Sequence, residues 1–185
     1  MSEDGNLIVA CIRVGERYCF DPITALRNRV ERTLHRPYTM VCLTDQPERC
    51  SRVSFVDVSA LDLKGAWAKI ILFEPAWRGF AKVIYFDLDI EPVGDITPLA
   101  DVPGEFARHN SSVMVIGGGN AGFIWQSFDR RRASLIAEHG CFDACIEALY
   151  PRAPRLAGML PKDFFGAHLR SMRVHRKIVN SENSA

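Results

Sequence analysis

Apolar residues in this chain come in short unbroken runs separated by segments of helical period. That alternation predicts strands buried on both faces with helices packed over them. Leu7 to Val14 reads LIVACIRV and stops at Gly15. Asp21 then offers a helix N-cap with Pro22 at the first helical position, and Leu26, Val30 and Leu34 recur at helical spacing toward His35. Tyr38 to Leu43 and Val53 to Val58 are a second and a third strand. From Ala66 the period changes to that of a helix, carried by Trp67, Ile70, Ile71 and Phe73 through Glu74 and closed before Pro75. Val83 to Phe86 is a further buried strand, and it runs straight into Asp87, Leu88 and Asp89.

Beyond the acids, Ile96, Pro98 and Leu99 begin a turn or short helix, and Glu105 to His109 and Val113 to Ile116 read as two more strands. Gly117, Gly118 and Gly119 end the last of these; no Gly-Lys-Ser/Thr follows, so a turn fits better than a phosphate cradle. Phe123, Ile124, Phe128, Leu135 and Ile136 mark one long helix or two short ones beginning at Asn120, with Arg130 to Arg132 as a solvated face, and Phe142 to Tyr150 is a further helix closed by Pro151. The fold class expected is α/β in a single domain. Residues 7–116 form the core, 120–170 a helical carboxyl-terminal part, and 171–185 a flexible tail.

Composition removes several classes of function. The chain has 185 residues, 48% hydrophobic and 24% charged, which suits one soluble globular domain. A formal net charge of +1 provides no field to collect nucleic acid. The polar start MSEDGN lacks a basic and an apolar signal region, and no apolar run is long enough to span a bilayer. A cytoplasmic location is expected, in which Cys11, Cys19, Cys42, Cys50, Cys141 and Cys145 stay reduced.

The chemistry concentrates at the ends of strands, where ligands bind in open sheets. In an extended chain Asp87 and Asp89 point to one side and repel, a penalty that a divalent cation removes; hard oxygen ligands suit Mg²⁺ or Mn²⁺. The competing reading of the acidic triplet is a solvated turn. Thr44 and Asp45 end the second strand and either hydrogen-bond a base or ribose or cap the turn that follows. Tyr18, in the loop after the first strand, either stacks on a flat base or covers a helix end. Lys69 either snorkels to solvent or reaches a diphosphate.

Four ordered blocks, VCLTDQPE, GAWAKIILFEP, KVIYFDLDIEPVGDITPL and HNSSVMV, resemble the nucleotide-sugar-dependent glycosyltransferases of the A-type fold. Within them the chain is most similar to bacterial relatives of the glycogenin and lipopolysaccharide galactosyltransferase family. The likeness covers Leu7 to Phe128. It implies a Rossmann-like, mixed and mostly parallel sheet flanked by helices. It also implies a metal-dependent enzyme that moves a sugar from a nucleotide-sugar donor, a UDP-sugar, to a glycan, lipid or small-molecule hydroxyl with retention. By that resemblance Asp87 contacts ribose and metal and Asp89 ligates the metal. Thr44, Asp45 and Tyr18 lie by the base and ribose, and Leu88 joins the donor-binding residues. Lys69 approaches the donor as a catalytic group, and Asn110 and Ser111 meet the sugar hydroxyls, with Asn120 competing for the role of Asn110. His168 or His175 is left as a third metal ligand, and Gly140 to Asp143 stands where relatives carry a Gly-Asp-Gln block.

The chain is short for that family, which leaves a nucleotide-sugar-binding protein without turnover as an alternative. Haloacid dehalogenase-type phosphotransferases also place Asp-x-Asp after an apolar strand. They follow it with Gly-Thr, whereas Ile90 and Glu91 follow here.

Overall fold

The computed structural model describes residues 7–15, 21–48, 50–78, 81–117 and 121–171. In chain order its strands and α-helices are β1 (Leu7–Arg13), α1 (Asp21–Thr33), β2 (Thr39–Thr44), β3 (Ser54–Asp57), α2 (Pro75–Arg78), β4 (Lys82–Phe86), β5 (Ile90–Pro92), α3 (Pro98–Asp101), β6 (Phe106–Asn110), β7 (Val113–Ile116), α4 (Gly122–His139), α5 (Phe142–Leu149), α6 (Phe164–His168) and β8 (Leu169–Ser171). A nine-residue 3-10 helix, Gly65–Phe73, precedes α2.

Six strands form one sheet in the order β3-β2-β1-β4-β7-β6. β3, β2, β1 and β4 run parallel, β7 is antiparallel to β4, and β6 is antiparallel to β7. The expected mixed, mostly parallel α/β sheet is therefore what forms. Side chains alternate across it, as the two-residue period of a strand requires. Along β1, Ile8, Ala10 and Ile12 face a core built with the 3-10 helix, α4 and α5 through Ile70, Phe73, Ile124, Phe128, Phe142 and Ile146. Leu7, Val9 and Cys11 face the opposite core, with Ile23, Leu26 and Val30 of α1, Leu99 of α3 and Phe164 of α6. Removing one such side chain, as in Leu26→Ala, would cost about 2–5 kcal/mol.

Residues 66–74 were expected as an α-helix, and they wind as a 3-10 helix instead. Ile70, Ile71, Leu72 and Phe73 are buried in succession, so there is no polar face for a 3.6-residue period to display. The β-branched pair Ile70–Ile71 also loses side-chain freedom in an α-helix. Its last turn is tied off by the Ile71 carbonyl, which accepts from the Glu74 amide at 2.9 Å and from Trp77 Nε1 at 2.7 Å. α4 reconciles the two readings of its stretch: one helix with a kink at Arg131 (φ −127°, ψ 21°), closed by Gly140 in the left-handed region at φ 66°.

β5 and β8, neither of them expected, pair antiparallel as a separate ribbon. It brings the residues after Asp89 against the end of the described chain. Cys11, Cys42 and Cys145 are buried free thiols, Cys50 is half-buried and Cys141 exposed, both also free; Cys19 lies outside the described residues. Among the described residues no helix is long and apolar enough to cross a membrane.

Candidate active site

Strands β1, β2 and β4 end at one rim of the sheet, where Arg13 pairs in register with Thr44 and Phe86 leads into Asp87. The acidic triplet leaves the strand in a tight turn: Asp87 N–H still bonds the Ser112 carbonyl at 2.9 Å, and Ile90 N–H returns to the Asp87 carbonyl at 3.0 Å. This changes the expected geometry. The triplet is a turn rather than the extended strand expected, because the chain must turn to enter β5. Leu88 is buried in the core, whereas Asp87 and Asp89 are half-buried.

Lys69 supplies the missing cation. Its Nζ lies 2.8 Å from each carboxylate oxygen of Asp87, 3.0 Å from the Ser111 carbonyl and 3.4 Å from Ser111 Oγ. The ammonium neither snorkels outward nor waits unpaired: its side chain is 12% exposed, and the Asp87 side chain 18%. The 3-10 helix sets this reach, since its apolar residues anchor it on the sheet while Lys69 leaves toward the rim. Tyr85, two residues before Asp87 on β4, donates its hydroxyl to Oδ1. Asp87 is thus held by a cation and a phenol at the mouth of a buried strand.

The hydroxyl of Ser111 extends the cluster, donating to Asp143 Oδ2 at 2.9 Å. Asp143 stands in the first turn of α5, where the helix dipole favours a carboxylate. Its other oxygen lies 3.4 Å from Arg108 Nη1, and Arg108 also pairs with Glu147 one turn further along α5. Arg108, Glu147 and Tyr85 were not among the residues expected at the site, and Asp143 was marked only as the end of the segment that stands where relatives carry a Gly-Asp-Gln block. The signals for them were weak: a phenol at i−2 from an acid, an arginine in an apolar strand, and acids at i, i+4 on one helix.

Other expected residues have local jobs. Thr44 is fully buried and its Oγ1 accepts from the Gln46 amide at 3.1 Å, the capping role. Asp45 Oδ2 accepts from the Gly15 amide at 2.9 Å, joining the β1 and β2 loops, while its Oδ1 is buried with no partner. Asn110 Oδ1 accepts from the Ser112 amide at 2.7 Å and shapes the β6–β7 turn beside Lys69. Tyr18, Asn120 and His175 lie outside the described residues.

The expected metal set is not assembled. Among the described residues no group of three or more His, Cys, Asp or Glu side chains is placed to hold a metal. His168 is packed elsewhere, its Nδ1 buried without a partner against the bare backbone of Gly94. Asp87 and Asp89 are hard oxygen donors of the kind a divalent cation takes. A cation would need oxygens from a ligand to complete its shell.

A cleft of about 480 Å³ opens at the opposite end of the sheet, lined by Arg27, Glu31, Tyr38 and Arg52 among others. Glu31 bridges both arginines there, at 4.0 Å and 2.6 Å, while Arg27 Nε is buried without a partner. The rim at Asp87 is where uncommon polar groups converge.

No protein-family model and no curated protein sequence matches the chain. Solved structures do. The glycosyltransferase GlyE of Streptococcus pneumoniae TIGR4 superposes with a TM-score of 0.58 at 15% identity, covering 87% of this chain and 46% of GlyE. The chain has a glycosyltransferase fold. The bifunctional glycosyltransferase WbbM gives 0.56 at 15% identity over 82% of this chain and 39% of its own. The galactosyltransferase LgtC, solved in complex with donor and acceptor sugar analogs, gives 0.62 at 10% identity over 80% and 72%. The chain therefore spans less than half the length of GlyE and WbbM, and these identities speak for the fold alone.

Proposed function

We propose that the protein is a glycosyltransferase that moves a sugar from a nucleotide-sugar donor, a UDP-sugar, to an acceptor hydroxyl with retention of anomeric configuration. The observation that carries this reading is the Lys69–Asp87 pair at the rim of a glycosyltransferase-fold sheet, with Ser111 and Asp143 beside it. In this reading the β1 and β2 loop ends take the base and ribose, with the partnerless Asp45 Oδ1 as an acceptor. Lys69 stands where the diphosphate gains charge as the glycosidic bond breaks, and a fixed ammonium in a half-buried site stabilises that charge. Asp87 orients Lys69. Asp143, its side chain 53% exposed, has lone pairs left for sugar hydroxyls.

The acceptor hydroxyl bonds to the anomeric carbon, the bond from that carbon to the diphosphate breaks, and the hydroxyl proton passes to the departing phosphate. A Mg²⁺ or Mn²⁺ arriving with the donor would be held by Asp87 and Asp89 and would add positive charge at the diphosphate. No role is proposed for His168 in holding it.

The phosphotransferase alternative is not carried forward. It would place the acidic strand near the start of the domain, whereas β4 follows three other strands of its sheet.

The test is release of UDP from a panel of UDP-sugars in the presence of glycan, lipid and small-molecule acceptors. The reading predicts release with a glycosylated product, reduced about a hundredfold or more in Lys69→Met, equivalent to about 2.7 kcal/mol of transition-state stabilisation. Absence of turnover with every donor, despite tight UDP-sugar binding, would replace it with a binding protein.

A further inference from the structure

We infer that Arg108 is a positioning residue for the sugar end of the donor: it clamps α5 so that Asp143 orients the Ser111 hydroxyl toward Lys69. The inference rests on the glycosyl-transfer reading of the site and adds a residue that reading does not require.

Arg108 is 3% exposed and sits on β6, a strand whose preceding residues, Phe106 and Ala107, are apolar and buried. A buried guanidinium is costly unless its charge and its donors are met. Two acids of α5 meet the charge and the two terminal nitrogens: Nη1 lies 3.4 Å from Asp143 Oδ1, and Nη2 bonds Glu147 Oε2, while Nε is buried without a partner. These acids are four residues apart on one helix face, where like charges repel by a few tenths of a kcal/mol unless a cation stands between them. The planar fork of arginine can serve both at once; the point charge of lysine is a poorer match. The backbone of Arg108 is fixed as well, its amide donating to the Pro154 carbonyl at 3.1 Å. Arg155 adds a second, more exposed contact to Glu147 at 3.4 Å.

A clamp that served only stability could end at the helix. This one continues into the site. Asp143 uses its second oxygen to accept from Ser111 Oγ at 2.9 Å, which points the hydroxyl proton at Asp143 and leaves an oxygen lone pair facing Lys69 Nζ at 3.4 Å. Lys69 in turn holds Asp87. Arg108 therefore stands three contacts from Lys69, and each link fixes the rotor or the carboxylate of the next. β6 also carries a register irregularity between Arg108 and Asn110, a device that re-aims side chains beside functional sites.

The experiment compares affinity for UDP with affinity for UDP-glucose and UDP-galactose by calorimetry, at fixed Mg²⁺, on the full chain. For wild type the sugar should add affinity over UDP. In Arg108→Gln the sugar-bearing donors should weaken about tenfold (about 1.4 kcal/mol) while UDP changes less than about twofold. Asp143→Asn should show the same selective loss, the double variant should be no worse than either single one, and Arg108→Lys should recover part of it. A purely structural clamp would weaken UDP and UDP-sugar together or neither, and either outcome overturns the inference. If Arg108→Gln does not fold, Asp143→Asn and Ser111→Ala decide the matter, and unchanged discrimination between UDP and UDP-sugar in both overturns it. Wild-type protein that binds no UDP compound would overturn the glycosyl-transfer reading itself, and the inference with it.

Discussion

The hydroxyl of Tyr85 donates to the carboxylate of Asp87, two residues further along the chain, so the residue that follows β4 is braced by the strand that delivers it. The two-residue separation makes the brace local, and no distant element has to move to make it. Tyr85 is itself fully buried in the core beneath the 3-10 helix. Tyr85→Phe keeps the ring and removes the donor. A hydrogen bond to a charged group contributes about 1.5–3 kcal/mol, so urea unfolding should show a loss toward the lower end of that range, since Lys69 still pairs with Asp87. An unchanged midpoint would mean that the brace carries no load.

Lys69 has a larger part. Lys69→Met keeps most of the stem's volume but leaves Asp87 half-buried without its cation, and breaking such a pair costs about 3–5 kcal/mol when fully buried. With the acid side chain 18% exposed, a smaller loss is expected. The double variant Lys69→Met/Asp87→Asn should regain stability over Lys69→Met alone while remaining inactive. Thermal unfolding of the three variants separates the structural role from the chemical one.

A histidine gives the stability a pH dependence. His109 follows Arg108 at the irregular step of β6 and stacks on Phe165, ring centroids 3.7 Å apart. The residue is exposed overall, and the partial desolvation of its ring lowers its pKa below the ordinary 6.5, an effect that solvent screening keeps small. The unfolded chain therefore takes up the proton first as pH falls. Stability from this residue is fully present above about pH 6.5 and is lost as pH drops through that value toward the lower folded one. Chemical denaturation at pH 7.5, 6.5 and 5.5, values chosen about that midpoint, should show the decline in wild type and a shallower one in His109→Phe.

Gly94 is the point where β5 can meet α6. A Cβ there would run into the His168 ring and come within 3.3 Å of the His168 Cα, a contact with backbone that cannot swing away. Gly94→Ala should cost about 1–3 kcal/mol by overpacking and loosen the β5–β8 ribbon, detectable as faster amide exchange at Val93, whose N–H bonds the His168 carbonyl at 2.8 Å.

Unbroken apolar runs such as LIVACI and VIYF, bounded by turn residues, read as buried strands, and the strands of the large sheet were legible within a residue or two at their ends. The 3-10 helix was not. Its periodicity resembled an α-helix, and the decisive fact, that every side of Ile70 to Phe73 is covered, belongs to tertiary packing. β5 and β8 escaped notice because three-residue strands carry no period of their own. At the site, Asp87, Lys69 and Ser111 were legible and do meet. Arg108 and Asp143 lie 35 residues apart in the chain, and nothing in the sequence announces that they face each other. The packing of His168 on Gly94 was likewise not legible, since it depends on how β5 and α6 meet.

The most direct check of the account is calorimetric titration of UDP into wild-type protein and Asp87→Asn in the presence of Mn²⁺. If the rim at Lys69 and Asp87 is the donor site, wild type binds and the variant binds about tenfold or more weakly, a difference of about 1.4 kcal/mol, while both unfold cooperatively. Equal affinity in the two proteins would place the nucleotide elsewhere and contradict the account.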